Sequence, residues 1–128
     1  MSTQACAKIL LIDGDAFFAS NCAENLEREG FSVRCVADGA QGLNAARLEI
    51  PYAILLDMQA PAVGGFDLLR QVKSDPDLWR VPVLMLAEEE RAEDAERCLK
   101  EGAREYLAKA HLVPGDAARN VKRVLQLS

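Results

Sequence analysis

The chain has 128 residues, half of them hydrophobic and 27% charged, which suits one globular domain spanning 1–128 with a sizeable core. A net charge of −5 leaves no basic stripe for neutralising phosphates, so direct nucleic-acid binding is not expected. The start, Met1 to Ala7, has no basic-then-apolar leader, and no apolar run approaches the ~20 residues that span a bilayer; the expected location is the cytoplasm, with no membrane contact.

Lys8 to Ile12 is a continuous apolar run and reads as a strand buried on both faces. Ala16 to Glu29 carries Phe18, Cys22 and Leu26 at i, i+4 spacing and stops at Gly30, which predicts a helix. Ser32 to Ala37 alternates as an edge strand does, and Asp38-Gly39 is a turn signal. Gly39 to Glu49 predicts a helix with Leu43, Ala46 and Ile50 on one face, closed before Pro51. Ala53 to Leu56 predicts a central strand. Val63-Gly64-Gly65 is a loop, followed by a short helix from Phe66 to Lys73 with Phe66, Leu69 and Val72 inward and a break at Asp75-Pro76-Asp77. Pro82 to Ala87 is the next strand, and Glu88-Glu89-Glu90 leads into a helix running to about Glu101, stopped by Gly102. Glu105 to Ala108 is a short strand, and Pro114 or Gly115 opens a last helix ending near Leu127.

Five βα units with buried strands imply an α/β fold: a doubly wound parallel sheet with helices on both faces and right-handed crossovers. Ligands of such sheets bind at the carboxyl ends of the strands. Three charged residues sit at those ends, Asp13 after Leu10-Leu11-Ile12, Asp57 after Ile54-Leu55-Leu56, and Lys109 after Tyr106-Leu107-Ala108. A charge at the tip of an apolar run is a poor choice for packing and a good one for chemistry. Cys6, Cys22, Cys35 and Cys98 show no zinc-type spacing. Cys22, Cys35 and Cys98 read as small apolar residues on buried faces, and His111 as a loop or helix-start residue.

The segments Ile9–Asp13, Ile54–Pro61 with Gly65, Pro82–Leu86 and Gly102–Lys109 together resemble the receiver domain of bacterial response regulators, in order and spacing, over about Lys8 to Leu127. The resemblance implies a flavodoxin-like (βα)5 domain of strand order 2-1-3-4-5. It implies a member of a two-component phosphorelay rather than an enzyme, accepting a phosphoryl group on Asp57 from a histidine kinase or phosphotransfer protein. In such a site Mg²⁺ is held by Asp13, Asp57 and the backbone carbonyl of Gln59, screening the repulsion between the carboxylate nucleophile and the anionic phosphoryl group. Lys109 pairs with Asp57 at rest and with a phosphate oxygen after transfer. The downstream protein docks on the face formed by the helix 91–101, the strand 105–108 and the C-terminal helix, where Glu93, Asp94 and Glu96 add negative charge.

Three positions depart from the family pattern. The second of the usual paired acids is Gly14, and Asp15, one residue later, reaches a metal only by rearrangement. Bound Mg²⁺ is therefore expected to be weak or absent. The switch hydroxyl position is Ala87, which weakens coupling to the switch aromatic, Tyr106. The residue after the lysine is Ala110 rather than proline, and a cis bond there would cost about 3 to 4 kcal/mol, so a rebuilt loop is expected.

Asp13-Gly14-Asp15 also resembles the first motif of haloacid-dehalogenase phosphatases and the palm motif of lesion-bypass polymerases. The first lacks an acid pair after the fourth strand, and the second needs a far longer chain. A flavin site needs a phosphate loop of Ser, Thr and Gly amides, whereas this loop is anionic. Two functions remain: a receiver with a weakened metal site and switch, or a pseudo-receiver acting as a phosphorylation-independent interaction module.

Overall fold

The computed structural model describes residues 7–113 and 115–126. In chain order it has β1 (Lys8–Ile12), α1 (Ala16–Arg28), β2 (Ser32–Val36), α2 (Gly39–Leu48), β3 (Ala53–Asp57), α3 (Gly65–Ser74), β4 (Val83–Ala87), α4 (Ala92–Lys100), β5 (Glu105–Ala108), a 3-10 turn at Lys109–His111, and α5 (Asp116–Leu125). The strands form one parallel sheet in the order β2-β1-β3-β4-β5, as expected for a flavodoxin-like fold.

Alternation along the central strands builds two cores. Leu10, Ile12, Ile54, Leu56 and Met85 face α2, α3 and α4. Ile9, Leu11, Leu55, Leu84 and Leu86 face α1 and α5, where Cys22, Leu26, Ala118 and Val121 meet them. β1, β3 and β4 are buried on both sides, which is why they read as unbroken apolar runs. β2 lies at the edge, so its alternation is weak and its side chains are largely exposed.

Several sequence expectations shift. α2 ends at Leu48, so Ile50 lies outside it and is exposed; Ala46 is buried and Leu43 packs against the core as expected, with Gly39, Gly42 and Ala45 completing the buried face. Gly42 is required there because a Cβ would lie 2.5 Å from Ile12 Cδ1. α3 starts one residue early at Gly65, whose missing Cβ would stand 2.7 Å from the Met58 Cα. Glu88, Glu89 and Glu90 form a bend, and α4 begins only at Ala92. Cys22 and Cys98 are buried as expected, but Cys35 is exposed because its strand is at the sheet edge. Burial pushes the Cys22 thiol up to about 12 and the Cys98 thiol up to about 11, so both are inert. His111 closes the 3-10 turn, Gly115 precedes α5, and Cys6, Pro114 and Leu127 lie outside the described residues.

Candidate functional site

Register puts the charged residues together. Ile12 pairs with Leu56, so Asp13 and Asp57 stand side by side one step further along β1 and β3. Ala87 pairs with Ala108, so the next residues, Glu88 and Lys109, are neighbours across β4 and β5. Asp13 and Asp57 are the buried charged residues of the core, 3% and 5% exposed.

Lys109 is the hub. Its Nζ lies 2.7 Å from Asp13 Oδ2, 3.7 Å from Asp57 Oδ2 and 3.7 Å from Glu88 Oε1, and 4.5 Å over the Phe18 ring. The contact with Asp13 is ionic: neither Asp13 Oδ2 nor Lys109 Nζ completes a well-aligned hydrogen bond. The remaining oxygens are held by backbone, since Asp15 N–H donates to Asp13 Oδ1 at 2.8 Å and Gln59 N–H to Asp57 Oδ1 at 3.2 Å. Burial raises the Asp57 pKa above the ordinary carboxylate value; the Gln59 N–H and Lys109 pull it down, and Asp13 pushes it up. Burial also works against the charge on Lys109. Its contact with Asp13 and the fields of Asp57 and Glu88 more than offset this, and its pKa is raised.

The other expected residues separate. The Asp15 side chain accepts from Phe18 N–H as the N-cap of α1, a role worth about 1 kcal/mol. Ala87 ends β4 with no hydroxyl to offer. Tyr106 is half-buried; its hydroxyl donates to the Glu89 carbonyl at 2.9 Å and accepts from Arg91 N–H at 3.4 Å, pinning the β4–α4 bend. All described peptides are trans, Ala110 included, and the 3-10 turn takes the chain away from β5. Sequence reasoning missed the contacts of Glu88 and Phe18 with Lys109. The Ala87–Ala108 register signals the first; nothing in the spacing signals the second. It also missed Ala62, which holds a left-handed φ of 73° in the loop after β3.

A metal finds donors of the right kind here: the carboxylates of Asp13 and Asp57, both buried. Among the described residues, however, no three acidic, His or Cys side chains gather as a cage. Mg²⁺ needs only one or two carboxylates with water, so the residues fit that ion.

Comparison with known proteins identifies the family. The chain is 34% identical over 102 residues to the DNA-binding response regulator MtrA of Mycobacterium tuberculosis, covering 80% of this chain and 43% of that protein. It thus spans less than half the length of that relative. A putative response regulator from Chloroflexus aurantiacus superposes with TM-score 0.89 at 27% identity, covering 95% of this chain and 99% of that one. The receiver domain of sensor histidine kinase PA1611 from Pseudomonas aeruginosa, with a magnesium ion coordinated in its active-site cleft, gives TM-score 0.85 at 29% identity over 95% and 99% of the two chains. No described helix is long and apolar enough to cross a membrane. The family model for the response regulator receiver domain matches residues 9–114, a span that includes Asp13, Asp57 and Lys109, and the chain belongs to that family.

Proposed function

We propose that this domain accepts a phosphoryl group on Asp57 within a two-component phosphorelay, in the cytoplasm, from a histidine kinase or phosphotransfer protein. The observation that carries the reading is one buried carboxylate at the tip of β3 facing one buried ammonium, with a second carboxylate beside them. Burial that keeps Asp57 poorly solvated removes water that would otherwise shield the nucleophile. Lys109 is placed to neutralise the oxygens that arrive, and Mg²⁺, when bound, supplies the remaining positive charge at Asp13, Asp57 and the Gln59 carbonyl. Incubation with acetyl phosphate and Mg²⁺ should add one phosphoryl mass to the Asp57 peptide and none to Asp57→Asn. A wild-type protein that stays unmodified would favour the phosphorylation-independent interaction module.

Metal binding should be weak, because Gly14 offers no carboxylate and Asp15 is spent on capping α1. Gly14→Asp is expected to tighten Mg²⁺ roughly tenfold by calorimetric titration, since added carboxylate charge tunes affinity for hard cations. The new Cβ would stand 3.0 Å from Pro61 Cδ and 3.3 Å from the Ala37 carbonyl oxygen, so these neighbours must give by a few tenths of an ångström. Equal affinity in both proteins would mean that Asp15 leaves its cap to serve the ion.

The output runs through the face made by α4, β5 and α5. Glu93 and Asp94 lie in the first turn of α4, and Asp94 lines the same groove as Tyr106. With Ala87 unable to donate to a phosphoryl oxygen, phosphorylation has one differential contact fewer with which to bias that face.

A further inference from the structure

We propose that Glu88 is a competing carboxylate at the mouth of the site, which occupies Lys109 when no donor is docked and so selects against small free phosphodonors. This rests on the reading of Asp57 as the phosphoacceptor. Glu88 is the residue after β4 and the register neighbour of Lys109 across β5, and its Oε1 lies 3.7 Å from Nζ. Three carboxylates therefore share one ammonium.

The three are not equivalent. Asp13 and Asp57 have side chains 0% and 8% exposed, and backbone N–H groups fix their other oxygens. The Glu88 side chain is 58% exposed and carries no hydrogen bond among the described residues. It is the member of the set that can leave. Glu88 also lines two of the grooves that reach the site, one between α1 and the segment after β5, the other between the β3–α3 loop and α4. A donor entering by either of these passes its charge.

The chemistry sets what this does. With acetyl phosphate, an Asp57 oxygen forms a bond to phosphorus, the bond between phosphorus and the acyl oxygen breaks, and acetate leaves with the electron pair. The phosphoryl oxygens need the Lys109 ammonium during that transfer, and Glu88 must first give it up. A free dianion has no contacts beyond the site itself with which to displace it, and it meets a mouth of like charge. A docked protein donor has remote binding energy to spend on that displacement. Glu88 is thus a positioning residue acting through Lys109, and it sets donor preference.

The test compares wild type with Glu88→Gln, which keeps the shape and removes the charge, and with Glu90→Gln, an exposed neighbour, as the control for net charge. The first readout is the rate of phosphoryl mass gain from acetyl phosphate and Mg²⁺. The second is amide NMR titration with inorganic phosphate, followed at Lys109 and Ala110. Glu88→Gln should phosphorylate about three- to tenfold faster and bind phosphate about threefold tighter, the range of a partly exposed ion pair, with both gains shrinking as salt rises. Glu90→Gln should behave as wild type. Unchanged or weaker phosphate binding in Glu88→Gln overturns the proposal, as does an equal gain in Glu90→Gln. If no protein gains phosphoryl mass, the phosphoacceptor reading fails by itself, and the phosphate titration still decides the role of Glu88.

Discussion

Lys109→Met is expected to destabilise the fold by about 3 to 5 kcal/mol at pH 7, the usual cost of removing one partner from a buried ion pair. The Lys109 side chain is 7% exposed and touches a carboxylate that is 0% exposed. Without it, Asp13 and Asp57 face each other with only backbone N–H groups to balance them. Methionine keeps the contact with the Phe18 ring, so packing changes little and charge dominates. The pH dependence carries a sign. In the wild type the raised pKa of Lys109 means its contribution is complete below its ordinary value of 10.5 and is lost as pH rises through the folded value. In the variant, Asp57 rises further above 3.8, so the penalty is fully present at neutral pH and fades as pH falls through its folded value. Urea denaturation at several pH values reads both. A loss under about 1 kcal/mol at pH 7, or one that does not shrink on acidification, would show that Lys109 is not balancing the buried carboxylates.

Asp57→Asn should act in the opposite direction and stabilise the domain at pH 7, because the neutral amide escapes the burial penalty on the carboxylate. Burial is the largest influence on Asp57 and disfavours its charged form, with Asp13 adding to the strain. Asparagine keeps the shape, keeps the Gln59 N–H donor and leaves Lys109 with Asp13 at 2.7 Å. Linkage gives the profile: the native wild type binds more protons than the unfolded chain between pH 3.8 and its folded pKa, so its stability falls as pH rises through that window. The variant lacks that slope, and the two curves should converge near pH 3.8. An Asp57→Asn protein less stable than wild type at neutral pH would mean that the Lys109 pairing outweighs desolvation. Together the two variants separate function from stability, since the residue proposed to do the chemistry is the one the fold would rather lose.

The strands and their order were readable because their burial is written directly in unbroken apolar runs, and the charged tips Asp13, Asp57 and Lys109 stood out against them. Side-chain jobs were less readable. Asp15 has the composition of a metal ligand and the position of a helix cap, and the cap decides where its oxygen points. Ile50 fitted the helical spacing of α2, but the helix ended two residues before it. Cys35 followed the strand pattern inward, yet an edge strand has no neighbour to cover it. Glu88 read as the first of three glutamates leading into a helix, and only sheet register joins it to Lys109. What escapes the one-dimensional pattern is whatever depends on pairing between distant segments.

The site begins where the ladder stops. Asp13 and Lys109 stand one step past the final paired rungs Ile12–Leu56 and Ala87–Ala108, and Asp57 is the last residue of β3. Sliding a strand by one residue would exchange the side chains that enter the two cores, so repulsion between the carboxylates cannot be relieved by slippage without repacking both. The most reactive groups are therefore anchored to the segments that open last, while Gly14 and Ala110 lie outside the rungs and Ala87 occupies the terminal one. Substitutions at Gly14 and Ala110 therefore leave untouched the register that brings Asp13, Asp57 and Lys109 together.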